Sequence, residues 1–313
     1  MRKALPVTVS VALFLVLTAV ATQNTEGHLL RYKFLTDVAF LYENTFTINM
    51  TVNLPLPNQD VTMNMDMEGQ TREWQRAEEV DKDGIATILM TTTGKMKMTM
   101  TGLPTPGQPE LSMDIPRTRM KLRIDPRGRV LQMEILEMDE TLKEKMPFSP
   151  GDISFGGGAG GMGYQGILFP ENPAKEGDDW DATQTINFSI KDRSVRYEVK
   201  GRARLIGLEK VAGRDCVVIE NTYEMVQLGD MIRQITEAVA PPGGAQLTVD
   251  GSVKGTNKFW FDNNAGHEVR SEGSADMEMS MTIQAQGQPS ITMTMKGSAQ
   301  GTKRLSKILK KKE

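Results

Sequence analysis

Residues 45–54 read TFTINMTVNL, and apolar and polar side chains alternate along this stretch without interruption. Phe46, Ile48 and Met50 stand at every second position, with threonine or asparagine between them. Because successive side chains of a strand point to opposite faces of a sheet, a period of two predicts a β-strand with one apolar and one wet face.

Three methionine-rich segments follow the same rule: VTMNMDMEG at 61–69, KMKMTMTG at 95–102 and DMEMSMTI at 276–283. Loops that contain Pro, Gly or Asn separate them from further alternating segments, and these residues turn the chain. The pattern predicts three hairpins, at about 45–69, 94–115 and 275–297. Together they hold thirteen of the chain's 22 methionines.

Strand patterns dominate the rest of the chain, and helical patterns are confined to 139–146 and 230–240. We therefore expect a mainly β protein built from two curved antiparallel sheets, each like a half-barrel, with one or two short helices. The expected divisions are a signal peptide at 1–21, an N-terminal module at 22–150, a Gly-rich joint at 151–169, a C-terminal module at 170–302 and a basic tail at 303–313.

The two modules partly repeat one another. EEVDKDGIATILM at 78–90 is similar to LEKVAGRDCVVIE at 208–220, and KLRIDPRGRV at 121–130 is similar to KFWFDNNAGHEV at 258–269. Order and spacing agree, which favours a duplicated module.

The second copy also carries a family resemblance. Its Glu-x-Val-x-Gly turn and its aromatic strand ending in Trp-Phe-Asp resemble segments of secreted bacterial sheet proteins related to the lipoprotein-carrier half-barrel. The matching residues are Glu209, Val211, Gly213, Trp260, Phe261, Asp262 and Gly266. This resemblance implies a curved antiparallel sheet whose apolar concave face shelters acyl chains or a hydrophobic segment of a partner.

The two ends of the chain combine basic residues with apolar ones. Arg2 and Lys3 precede an apolar run that closes on Ala-Val-Ala, which is typical of an export signal cleaved after Ala21. The alternative is an uncleaved anchor, since the run is near the ~20 residues that span a bilayer. The tail RLSKILKKK places Leu305, Ile308 and Leu309 on one side of a helix among lysines, which would allow peripheral contact with an anionic membrane; the alternative is a solvated tail.

Catalytic and metal-binding combinations are scarce. The chain has one cysteine, Cys216, in an apolar run typical of a buried position, and its two histidines, His28 and His267, lie far from any nucleophile motif. One Cys and two distant His do not complete a zinc site. The net charge of the chain is -3, and residues 22–302 between its two basic ends are acidic. This negative charge argues against nucleic-acid binding. We expect no enzymatic activity and no cofactor.

The methionine faces are the candidate ligand-binding surface. A flexible, polarizable side chain suits irregular apolar ligands, and its repeated use sacrifices the β-propensity of Val or Ile. The candidate residues are Met50, Met63, Met65, Met67, Met96, Met98, Met100, Met277, Met279, Met281, Met293 and Met295.

These observations predict an exported, non-enzymatic protein that binds a lipid or another apolar ligand. Two alternatives remain open. The protein could be a structural or partner-binding envelope protein whose methionines form an ordinary core, or a Cu(I) binder, because thioethers are soft ligands.

Overall fold

The computed structural model describes residues 27–56, 59–102, 110–137, 166–190, 193–225, 229–230, 246–284 and 290–310. The predicted signal peptide at 1–21 lies outside these residues, as does the Gly-rich joint up to residue 165. Within them the chain is almost entirely β, as the alternation predicts. The division into modules at 22–150 and 170–302 stays a prediction.

The described residues form twelve strands. They are β1 (Val38–Leu56), β2 (Gln59–Val80), β3 (Ala86–Thr101), β4 (Glu110–Ile124), β5 (Val130–Glu137), β6 (Asp179–Asp181), β7 (Gln184–Ile190), β8 (Arg193–Val211), β9 (Arg214–Met225), β10 (Gln246–Asp262), β11 (His267–Gln284) and β12 (Ile291–Lys310). The three methionine-rich hairpins are confirmed as β1–β2, β3–β4 and β11–β12.

All twelve strands belong to one nearly closed, barrel-like sheet, so the prediction of two separate sheets is wrong. The first and last strands pair antiparallel from Val38↔Lys310 to Asn53↔Thr294, which joins the two halves of the chain. Pairing of β8 with β9 closes the ring on the other side, and a short parallel pairing links β5 to β7. Alternation specifies the faces of a strand but not its neighbours, which is why the sequence did not reveal this closure.

The C-terminal segment also differs from the prediction. Strand β12 continues to Lys310, so residues 303–310 form part of the sheet rather than a tail, and Leu305, Ile308 and Leu309 do not share the side of a helix. Pairing with β1 supplies the backbone partners that hold this segment as a strand. The predicted helix at 139–146 lies outside the described residues, and so does the predicted helix at 230–240 apart from Asp230. In the described part of the chain, residues 229–230 are the longest helical segment.

One end of the ring, called here the lower end, is closed by two segments outside the strands, one before β1 and one between β5 and β6. Residues 27–35 and 166–175 cross it, with Tyr32 N–H donating to the Pro126 carbonyl at 2.7 Å and Phe169 N–H to the Arg127 carbonyl at 2.8 Å. Their apolar side chains pack beneath β8, β9 and β10 in a cluster with Leu30, Phe169 and Phe261 at its centre. The Phe169 and Phe261 ring centroids lie 4.7 Å apart. Residues 167–169, placed by the sequence analysis in the joint, are therefore core.

The repeated segments form hairpin turns at this lower end. Asp125 accepts backbone hydrogen bonds from Arg127 and Arg129, both at 2.9 Å, and Asp262 accepts one from Ala265 at 2.9 Å. Gly128 and Gly266 follow these aspartates with φ of 89° and 72°, in the left-handed region that glycine tolerates. Shared turn chemistry thus accounts for the similarity of 121–130 to 258–269, and the duplication itself stays a prediction.

Candidate functional site

The predicted methionines form cross-strand rows on the inner face of the ring. In one row Met277 pairs with Gly297, Gly297 with Met50, Met50 with Met65, and Met65 with Met100. The next rows contain the direct pairs Met279–Met295, Met281–Met293 and Met67–Met98. Directly paired residues have Cβ atoms about 5 Å apart, so the paired methionines form an apolar lining that Gly297 interrupts.

These side chains point inward, because Met277, Met279 and Met295 pack in a cluster built from strands around the ring. The cluster joins Met90 of β3 and Met120 of β4 to Met225 of β9 and Val253 of β10. The polar residues that alternate with the methionines, such as Asn64, Asp66 and Glu278, are exposed on the outside. The predicted separation of an apolar from a wet face is therefore present in the structure.

The lining is incompletely covered. Met96, Met98, Met279 and Met281 are buried, whereas the other predicted methionines are half-buried: Met50, Met63, Met65, Met67, Met100, Met277, Met293 and Met295. Partial exposure of these eight residues means that neighbouring side chains leave part of their surface uncovered. An apolar ligand placed there would remove this surface from water.

A belt of glycines and aromatic rings bounds the methionine rows toward the lower end. The Phe46 ring lies over Gly69, and the Tyr223 ring lies over Gly255, where a Cβ on either glycine would collide with the ring. Phe46 also pairs with Gly301, which pairs with Gly273. Because glycine has no side chain, these inward positions leave room for the aromatic side chains of Phe46 and Tyr223 inside the barrel-like sheet.

A buried polar cluster lies just below this belt. The Lys303 ammonium lies 3.0 Å from a Glu73 carboxylate oxygen and 3.7 Å from a Glu268 carboxylate oxygen, and the Lys303 and Glu73 side chains are only 5% and 1% exposed. Gln75 donates to Glu73 at 2.7 Å, and the ammonium lies 4.3 Å from the centroid of the Tyr42 ring. Burial on this scale requires that the charges be paired.

Two side-chain oxygens in and beside this polar cluster have no hydrogen-bond partner among the described residues: one oxygen of Glu268 and that of Asn44, which pairs with Lys303 across the strands. With two carboxylates and one ammonium, the cluster has an excess of negative charge and of acceptors. A small cavity of about 30 Å³ is lined in part by Tyr42, Gln75 and Glu268, which is room for a water molecule that could donate to such acceptors.

Sequence reasoning missed this cluster because its residues resemble surface residues in the pattern. Lys303 was assigned to a basic tail, and Glu73 stands in the polar run TREWQR at 71–76. The detectable signal is the position of Glu73 in the alternating pattern. Glu73 is an even number of residues from Val61 and Met63 along one strand, which places its side chain on the same inner face. The inner cluster also contains four methionines that the sequence does not mark as candidates, because none of them stands in a methionine-rich run: Met90, Met120, Met133 and Met225.

Of the histidines and the cysteine, His267 and Cys216 are buried, whereas His28 is half-buried. His267 begins β11 and is 6% exposed; burial lowers its pKa below the ordinary value of 6.5 because it disfavours the imidazolium form. Cys216 is fully buried, as predicted, and burial raises the pKa of its thiol. Among the described residues, no group of three or more His, Cys, Asp or Glu side chains is arranged to hold a metal ion.

None of the helical residues in the described ranges forms a helix long and apolar enough to cross a membrane.

Comparison with known proteins finds no family model and no curated protein sequence that matches the chain. Similar solved structures include lipovitellin, at 8% identity and a TM-score of 0.41; the match covers 90% of this chain, which spans only 26% of that chain. The hypothetical lipoprotein YmcC from Escherichia coli matches at 12% identity and a TM-score of 0.23, with 80% of this chain and 85% of the other covered.

A domain from Vibrio parahaemolyticus described as outer membrane lipoprotein-sorting matches at 11% identity and a TM-score of 0.17, with 85% of each chain covered. The similar structures thus include the lipoprotein-sorting class that the sequence resembles. At these identities and TM-scores the similarities carry no information about a ligand or an activity of this chain.

Proposed function

We propose that this chain is an exported, non-enzymatic binding protein that shelters the apolar part of an amphiphile, such as a lipid acyl chain, against its inward methionine rows. The observation that carries the proposal is the half-buried state of eight of the twelve predicted methionines on the inner face of a nearly closed sheet. An ordinary core would bury these side chains against one another.

The hydrophobic effect supplies the driving force. Each square ångström of apolar surface removed from water contributes about 25 cal/mol, so covering part of several methionines offsets much of the entropy lost on association. The outward residues of the same strands, among them Asn64, Asp66 and Glu278, keep the outside wet. This arrangement suits a protein that carries an apolar group through water.

The choice of methionine suits a ligand of variable shape. Rows such as Met50–Met65–Met100 place unbranched side chains next to one another, and each has three rotatable bonds. Such a surface adapts to chains of different length or unsaturation, whereas a lining of Val and Ile would impose one shape.

The leader pattern at 1–21 supports export of the protein. The scarcity of catalytic residue combinations in the sequence supports a role without catalysis.

Two neighbouring substitutions test the proposal. Met65→Gln introduces an amide on the inner face, and the matched control Asn64→Gln introduces the same side chain on the outer face of the same strand. We expect the purified Met65→Gln protein to bind a fluorescent long-chain fatty acid about tenfold more weakly than wild type, because a polar group now lies beside the alkyl chain. The control should bind as wild type does.

Thermal unfolding of both variants separates loss of binding from loss of fold, and Met65→Leu should retain binding. Equal affinities of the folded Met65→Gln protein and wild type would overturn the proposal. Binding that a Cu(I) chelator abolishes would instead favour the copper alternative.

A further inference from the structure

The outer surface of β12, β1, β2, β3 and β4 carries a concentration of basic side chains, called here the outer basic face. Three adjacent cross-strand rows form it. In the first row Glu43 of β1 pairs with Arg304 and Arg72; in the second, Leu41 pairs with Lys307 and Trp74, and the row continues through Thr91 to Arg119. In the third row Ala39 pairs with Leu309 and Arg76, and the row continues through Leu89 to Lys121. Outward alternation places all of these side chains on the same face.

An apolar group lies in the middle of these bases. Trp74 is 39% exposed and Leu309 is 42% exposed, while Leu41, which pairs with Trp74 in the same row, is buried. The other outward tryptophan shows how this chain covers an indole: Trp260 is 4% exposed, and its N–H donates to Glu209 at 2.7 Å. Two cations, Lys258 and Arg270, lie within 5 Å of the Trp260 ring centroid, at 4.8 and 4.7 Å. Trp74 has no comparable cover from the described residues.

The charge of the outer basic face is opposite to that of the whole chain. Six bases lie in the three rows, and the carboxylates that pair with them are Glu43, Glu78 and Glu137. These contacts are loose, from 3.5 to 3.9 Å, and the Arg72 and Arg76 side chains are 70% and 55% exposed. An excess of positive charge on a chain of net charge -3 calls for an anionic partner.

We propose that the outer basic face docks on the anionic headgroup layer of a lipid membrane. Indole rings prefer the headgroup level, where an apolar body and a polar N–H are both accommodated, and Arg and Lys nearby contact lipid phosphates. A sheet surface with one exposed indole, one exposed leucine and six bases has this composition. The inference goes beyond the proposed function, since it holds whether or not the interior binds a ligand.

Vesicle flotation tests the inference with two matched double variants. Arg72→Gln with Arg76→Gln removes two bases of the outer basic face, whereas Arg202→Gln with Arg204→Gln removes two exposed bases of β8, which pair with Asp179. Both changes remove the same charge. Each base close to an anionic surface contributes roughly a fivefold factor, so we expect the first variant to partition onto phosphatidylglycerol-containing vesicles about 25-fold more weakly than wild type.

We expect the control variant to partition as wild type does, Trp74→Ser to weaken partitioning, and neutral phosphatidylcholine vesicles to bind none of the proteins. Circular dichroism confirms that each variant is folded. Failure of wild type to float with anionic vesicles would overturn the inference, as would equal loss in the control. Binding of a soluble polyglutamate peptide without flotation would assign the face to an acidic protein instead.

Discussion

Replacing Lys303 by methionine should destabilise the protein strongly, because it removes the cation from a buried polar cluster. At 3.0 Å the Lys303–Glu73 pair is attracted by about 5 kcal/mol for an effective dielectric constant of about 20. Removing one partner of a buried pair leaves an uncompensated charge, and this costs about 3–5 kcal/mol. Such a loss is a large fraction of the ~5–15 kcal/mol that stabilises a typical domain.

The same strand offers an exposed Lys–Glu pair as a control. Lys296 lies 2.9 Å from Glu278, but these side chains are 70% and 69% exposed. We expect Lys296→Met to leave the urea midpoint of unfolding unchanged, because water screens an exposed pair. The measurement is equilibrium unfolding in urea, monitored by tryptophan fluorescence, for wild type, both single variants and Lys303→Met combined with Glu73→Gln.

The double variant should recover part of the lost stability, because a neutral amide replaces the nearer of the two carboxylates that lose the ammonium. The reasoning would be refuted if Lys303→Met and Lys296→Met lowered the midpoint equally, or if Glu73→Gln failed to rescue Lys303→Met.

Three further predictions concern residues elsewhere in the fold. Lowering the pH should reduce the free energy of unfolding through His267. The pKa of His267 in the folded protein is below 6.5, so its contribution to stability is fully present above pH ~6.5 and decreases as the pH falls below that value. Urea titrations at several pH values should show a weaker pH dependence for His267→Gln. Gly69→Ala should lower stability by about 1–3 kcal/mol, because the new methyl collides with the Phe46 ring, and Phe46→Leu should relieve the loss in the double variant; additive losses would contradict this. Cys216 should react with iodoacetamide only after unfolding, since its thiol is buried and its pKa is raised; mass spectrometry showing rapid labelling of the native protein would contradict the burial.

The faces of the strands could be predicted from the sequence, and their partners could not. Alternation in TFTINMTVNL and KMKMTMTG identified strands and assigned Met50 and Met98 to the apolar face, because side-chain direction is a local property with period two. Pairing of Val38 with Lys310 is not local: it joins segments at opposite ends of the chain, and no local pattern marks it. The same gap led to two sheets being predicted in place of one.

Inside the ring, the methionine lining could be predicted and the polar cluster could not. The runs of Met at every second position were visible in the sequence, whereas Lys303 and Glu73 are single residues in polar surroundings. Burial of Lys303 depends on β12 continuing as a strand beside β1, and therefore on the closure of the sheet.

Native mass spectrometry of the protein purified gently from its own cell envelope tests the central proposal most directly. We predict extra mass above that of the polypeptide, which organic solvent extracts and which the folded Met65→Gln variant retains less than the Asn64→Gln control. A bare polypeptide mass for wild type, or extra mass that only a Cu(I) chelator removes, would contradict the account of an interior that shelters an apolar ligand.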